Sequence, residues 1–176
     1  RGPRGTGFLY AKQATTAQIE PVFLDNHAAR WTGDNAYTMM GDAKRFENWE
    51  RYFAGVIGLK VAADQANDLG MEAIWTRLRE LADGLRARLA PLKGITPTDL
   101  GQVKGAIVTF AVEGADHNAL KLALRAQAIN VSVSTQFSSR LDLKGRGLKD
   151  VMRASVHIYN TEAELDRFVA ALDAVR

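Results

Sequence analysis

The later part of this sequence predicts an α+β fold, a small antiparallel sheet with helices packed on one face. Beyond residue 92, segments with a two-residue apolar period alternate with segments of 3.6-residue period, the pattern of strands and helices sharing one core. Ahead of them, Ile74, Leu78, Leu81, Leu85 and Leu89 form a stripe at three- and four-residue spacing. Helix-start chemistry also sits where helices need it: Asp116 precedes one, and Thr161 with Glu164 forms a capping box ahead of another.

Taken in order, Gly2 to Gly7 reads as a glycine-rich turn and Phe8 to Ala11 as a short buried strand. Residues 20–44 mix Pro, Asp, Asn, Gly and aromatics without a period, so a long irregular segment is expected. A helix from about Glu47 to Asp68 carries Phe53, Val56, Ile57 and Leu59 to Ala63, apolar over much of its circumference. Asn67-Asp68-Leu69-Gly70 stops it. The striped helix runs from about Met71 to Leu89, and Pro91 ends it. Ala106 to Val112 reads as a strand and His117 to Ala128 as a helix, with His117 at its exposed start. Asn130 to Ser134 alternates as a strand does. Residues 135–149 read as a loop, Val151 to Tyr159 as a strand, and the stretch past Thr161 as a helix with Leu165, Phe168, Val169 and Leu172 inward.

Composition bounds the function. The chain has 176 residues, 47% apolar and 24% charged, within the range of a globular protein. Net charge is +3 and the pI about 9.3, but Lys and Arg are scattered among acids. A nucleic-acid footprint is a concentrated basic stripe, so nucleic acid is not an expected partner. No run is long and apolar enough to span a membrane, and a cytoplasmic location is the expectation. The chain has no Cys, which excludes disulfides, thiolate metal sites and a Cys nucleophile within it. His27, His117 and His157 do not stand at metal-ligand spacing, so no metal site is expected. Gly2, Gly5 and Gly7 precede a strand and not a helix, which excludes a dinucleotide fingerprint.

The chemistry concentrates in Val151 to Tyr159. Strand alternation sends Met152, Ala154, Val156 and Ile158 to one face and Arg153, Ser155, His157 and Tyr159 to the other. The planar fork of Arg153 suits bidentate binding of a carboxylate. The same alternation also fits a half-exposed strand with its polar face in water, and the residues alone leave both readings open.

The run Val151-Met152-Arg153-Ala154-Ser155-Val156-His157-Ile158-Tyr159-Asn160-Thr161-Glu162-Ala163-Glu164 resembles the terminal motif of class V aminotransferase-family enzymes, which use pyridoxal 5'-phosphate (PLP). Gly2-Pro3-Arg4-Gly5-Thr6-Gly7-Phe8-Leu9-Tyr10 resembles that family's turn just beyond the PLP lysine. Arg45-Phe46-Glu47 and Gly58-Leu59 resemble two more of its segments, and the matches follow in the family's order along nearly the whole chain. Asn48-Trp49-Glu50 is similar to the isopenicillin-N-epimerase-like branch of the superfamily, which also includes cysteine desulfurases.

The resemblance implies a division. Residues 1–69 would be the C-terminal remnant of a PLP-binding large domain, the end of an α/β fold type I transferase, and residues 70–176 a linking helix and small C-terminal domain. Arg153 would bind the substrate α-carboxylate. Thr6 and Asn48 would be the cofactor-binding residues within the chain. Glu50 stands where many relatives place a phosphate-binding Thr, and a carboxylate repels phosphate. No catalytic residue is expected here, because the PLP lysine would precede residue 1. The expectation is therefore a fragment, inactive alone, of a homodimeric enzyme acting on an amino acid by transamination, C–S lysis or epimerisation. Desulfurases carry a catalytic Cys on the loop before the last strand. Thr135 to Lys149 has none, so persulfide formation on this loop is not expected. Ser132 aligns where desulfurases place another Arg. The alternative reading is a non-catalytic α+β binding or assembly module.

Overall fold

A computed structural model describes residues 2–176. The chain divides into two compact units, the first ending at Asp68 and the second running from Leu69 to Arg176.

The first unit contains a short helix α1 (Gln13–Thr16), a hairpin of β1 (Ala29–Gly33) and β2 (Ala36–Met39), a 3-10 turn (Ala43–Phe46) and most of helix α2 (Phe53–Leu69). The hairpin corrects the expectation that 20–44 is irregular. Gly33 pairs with Ala36, so Asp34-Asn35 makes a two-residue turn, and Trp31 lies opposite Tyr37. Phe8 to Ala11 forms no strand, and Phe8 is 86% exposed. A strand needs a partner for its backbone groups, and none pairs with this stretch among the described residues. Helix α2 starts at Phe53, later than the expected Glu47, and exposes Phe53, Val56, Ile57 and Val61. Its two inner glycines receive the N-terminal turn. A Cβ at Gly58 would lie 2.6 Å from Pro3 Cγ, and one at Gly55 would lie 2.6 Å from Thr6 Cγ2.

Arg45 organises this unit. It is 8% exposed, and it donates from Nε to the Met40 carbonyl at 2.9 Å and from Nη1 to the Thr16 carbonyl at 2.6 Å. Asp25 plays the acceptor's part. It takes backbone N–H bonds from His27 at 2.8 Å and from Trp49 at 2.5 Å. Desolvation pushes its pKa up, but the N–H donors of His27, Trp49 and Ala28 prevail and hold it below the ordinary 3.8.

The second unit is the expected antiparallel sheet with helices on one face. Its strands are β3 (Ile95–Pro97), β4 (Ile107–Val112), β5 (Ser132–Thr135) and β6 (Asp150–Ser155), in the order β3-β4-β6-β5, every pair antiparallel. Helices α3 (Met71–Leu89), α4 (His117–Ala126) and α6 (Glu162–Val175) supply the other half of the core. Leu81, Leu85 and Leu89 of α3, Leu120 and Leu124 of α4, and Leu165, Phe168 and Leu172 of α6 bury against Val108, Phe110, Met152 and Ala154. A short helix α5 (Arg140–Gly145) lies within the stretch expected to be loop. No described helix is long and apolar enough to cross a membrane.

His117 corrects another expectation. Asp116 caps α4 as predicted, accepting from the N–H groups of Asn118 and Ala119. His117 is nevertheless 6% exposed. Its Nε2 accepts the Val112 N–H at 3.0 Å, which leaves the proton on Nδ1 to donate to Asp150 at 2.5 Å. The ring thus links the end of β4 to the start of β6, a long-range pairing that helix-start chemistry does not encode.

Helix α6 begins at the predicted capping box. Thr161 Oγ1 accepts the Glu164 N–H, and the Glu164 carboxylate accepts the Thr161 N–H at 2.8 Å. That N–H and then the Asn160 amide hold the Glu164 carboxyl below its ordinary 4.5. Helix α4 ends less favourably. Ala128 sits in the left-handed region at φ 58°, while Ile129 N–H closes onto the Leu124 carbonyl.

Two outcomes follow for stability. Ala128→Gly relieves the left-handed Cβ clash and is expected to raise unfolding free energy by about 1 kcal/mol in urea titration; a decrease contradicts this account. A depressed folded-state pKa means that the Glu164 contribution is fully present above the ordinary value of 4.5 and is lost as pH falls through the lower folded value. The stability gap between wild type and Glu164→Ala should therefore be widest above that pH and close in acid, whereas a gap that ignores pH contradicts the cap.

Candidate functional site

Strand β6 lies between β4 and β5, and its alternation is resolved on both sides. Met152 and Ala154 face the helices and are buried. Arg153 and Ser155 take the opposite face and are exposed. Val151 shares their parity but is buried outside the main core, as is Leu143 of α5. The segment between β5 and β6 is tied to the residue after β3, where Arg146 Nη2 donates to the Thr98 carbonyl at 2.5 Å. The open part of the outer face therefore begins at Arg153.

His157 and Tyr159 do not extend this face as the sequence reading expected. The strand stops at Ser155 because Asn160 turns the chain: its Oδ1 accepts the His157 N–H at 2.8 Å, and its own N–H donates to the His157 carbonyl at 2.9 Å. Past that point the two-residue period no longer applies. His157 and Tyr159 stack on each other instead, ring centroids 4.5 Å apart and planes 22° apart. Arg77 of α3 fastens the turn, donating to the Asn160 carbonyl at 3.0 Å and to Glu162 at 2.7 Å. The Arg77 side-chain bond holds the Glu162 carboxyl below its ordinary value.

Among the described residues, the Arg153 side chain has no hydrogen bond or ion pair to protein. Two buttressing arginines of this unit are engaged by contrast: Arg86 with Asp99 at 2.8 Å, Arg88 with Asp166 at 2.6 Å. Across the strands, Arg153 stands opposite Thr109 on β4 and Ser132 on β5. The sequence reading picked out neither Thr109 nor, as a neighbour of Arg153, Ser132. Both carry the strand alternation, but the pairing that brings them beside Arg153 is a matter of register.

The other two candidates lie in the first unit. Thr6 Oγ1 donates to the Pro3 carbonyl at 2.6 Å, so its hydroxyl proton serves the turn. Asn48 is exposed, next to Trp49, whose N–H is bonded to Asp25, and Glu50 is exposed beside it. In the second unit, Phe137 and Leu141 of the β5–β6 segment are both 97% exposed. His117 is not available as a base, since Nε2 is taken up by the Val112 N–H.

Comparison with known proteins meets this geometry at the level of fold and family. The probable cysteine desulfurase of Xylella fastidiosa is 30% identical over 175 residues, 99% of this chain and 42% of the relative. That of Halalkalibacterium halodurans is also 30% identical over 175 residues, 99% of this chain and 43% of the relative. Among solved structures, the cysteine desulfurase CsdA of Escherichia coli superposes with a TM-score of 0.85 at 24% identity, covering 99% of this chain and 43% of that one. The complex of the cystine C–S lyase C-DES with its reaction product cysteine persulfide superposes with a TM-score of 0.78 at 21% identity, covering 99% of this chain and 43% of that one. These structures share the fold, and the chain spans well under half the length of the relatives it matches. The family model for class-V aminotransferases matches residues 1–168, and the chain belongs to that family.

Proposed function

We propose that this chain is the carboxy-terminal portion of a PLP-dependent enzyme acting on an amino acid, with Arg153 anchoring the substrate carboxylate. The observation that carries the reading is the Arg153 guanidinium, uncommitted to any described protein group and displayed on the open face of a sheet whose other face is core. A free planar cation on a rigid strand is preorganised for a bidentate carboxylate. In this reading residues 1–69 belong to the PLP-binding large domain, and residues 70–176 are the linking helix and small domain.

The cofactor of the family is pyridoxal phosphate. The residues present fit the substrate side of such a site better than the phosphate side. Thr6 gives its proton to Pro3, so the exposed amide of Asn48 is the remaining side-chain donor of the two candidates. When bound, PLP supplies an electron sink for bonds broken at an amino-acid Cα. Arg153 fixes the carboxylate and so sets which Cα bond is presented for cleavage, a positioning role. The two sequence relatives named above carry the name probable cysteine desulfurase, but Thr135 to Lys149 contains no Cys to receive sulfur. Transamination, C–S lysis without transfer to this loop, and epimerisation are the reactions consistent with that segment. The isolated chain is inactive in this account, because the PLP lysine lies outside it. A homodimer belongs to the same reading, and the uncovered apolar side chains Phe23 and Trp31 of the first unit support a covering partner.

The test is Arg153→Ala in the full-length protein. Apparent affinity for the amino-acid substrate should fall about 30-fold or more, as expected for losing a charge-assisted pair of about 2 kcal/mol, while the absorbance of bound PLP is retained. Unchanged affinity with PLP bound refutes the clamp.

A further inference from the structure

We propose that Thr109 and Ser132 complete the Arg153 site as hydroxyl donors, making one rung across three strands a cradle for a single carboxylate. This rests on the reading that Arg153 takes the substrate carboxylate, and it adds the residues that flank the anion.

The rung is set by register. Arg153 lies directly opposite Ser132 on one side and Thr109 on the other. Directly opposed residues of paired strands project to the same face, with Cβ atoms roughly 5 Å apart. The neighbours of Thr109 along β4, Val108 and Phe110, are buried in the core, which leaves Thr109 on the outer face with Arg153. The register sets two short hydroxyls on either side of the base of the Arg153 side chain.

Hydrogen-bond accounting sets the direction of the donors. Thr98 is 5% exposed, and its hydroxyl donates to Thr109 Oγ1 at 2.9 Å. With Thr98 as the donor of this pair, Thr109 keeps its own proton for a further partner. Among the described residues, neither the Thr109 proton, the Ser132 hydroxyl nor the Arg153 guanidinium has a protein acceptor. Two acids of this unit face other cations or donors: Asp99 accepts from Arg86 at 2.8 Å through Oδ2, its Oδ1 being buried without a partner, and Asp150 accepts from His117 at 2.5 Å. Three donors on one rung with no acceptor select an anion. The rung carries one uncommitted positive charge, since Arg146 is engaged with Thr98 and Asp142. One cation with two neutral donors matches a monoanionic carboxylate, whereas a phosphate dianion would be left half-neutralised.

The experiment uses the full-length PLP-bound protein and two probes that differ by the carboxylate, L-alanine and ethylamine, titrated against the absorbance of the bound cofactor. Thr109→Val and Ser132→Ala should each weaken L-alanine roughly tenfold, the loss of one hydrogen bond to a charged group, and leave ethylamine unchanged. Thr109→Ser and Ser132→Thr, which keep the hydroxyl, should bind L-alanine as wild type does. If Arg153→Lys weakens L-alanine selectively and the two hydroxyl deletions do not, the rung is refuted and the clamp stands. If Arg153→Lys has no effect either, the clamp falls and the rung with it. Wild-type protein that binds L-alanine no better than ethylamine overturns both. If Thr109→Val fails to fold by circular dichroism, Ser132→Ala decides alone: no loss of L-alanine affinity overturns the cradle.

Discussion

Burial of Met152 and Ala154 on β6 dictates the direction of Arg153, and most of the second unit follows from that alternation. The strand has neighbours on both sides, so its backbone groups are consumed by the ladders to β4 and β5. One face receives the apolar stripes of α3, α4 and α6, which pack on it and on one another. The odd-numbered side chains then emerge on the opposite face. A one-residue slip would drive a guanidinium into the core and expose Met152, so register is strongly enforced. The rigidity that keeps the core closed is also what presents Arg153, Thr109 and Ser132 in one row.

The two units differ in how much of their surface they complete. The second has a contiguous core and side-chain caps at the starts of α4 and α6. The first is held together largely by polar struts, Arg45 to backbone carbonyls and Asp25 to backbone N–H groups, while Phe8, Val22, Phe23 and Trp31 stand uncovered. An apolar display of that extent is characteristic of an interaction surface. It accords with a chain that spans 42% of the length of its Xylella relative.

Much of the second unit was legible because its signals are local. The stripe from Ile74 to Leu89, the Asp116 cap and the Thr161–Glu164 box each specify an element within a few residues, and each stands where the sequence put it. The inward set on β6 was legible by period alone. What escaped depends on contacts distant in sequence. The position of His117 at an exposed helix start is overturned by Val112 and Asp150, the latter 33 residues away. His157 and Tyr159 leave the strand because Asn160 caps the turn, a side-chain effect that alternation does not register. The β1–β2 hairpin was missed although Asp34-Asn35 is a turn signal, since no clean alternation flanks it. Arg153 was identified as a candidate from its strand and from resemblance. Its lack of a protein partner, and its place between Thr109 and Ser132, required the register of three strands.

The claim that Arg153 anchors a carboxylate is tested most directly by a crystal structure of the full-length protein with L-alanine bound. The account predicts both carboxylate oxygens on the Arg153 guanidinium at about 2.7–2.9 Å, in the fork geometry of a charge-assisted pair. A carboxylate held by other residues, with Arg153 still facing solvent, would contradict it.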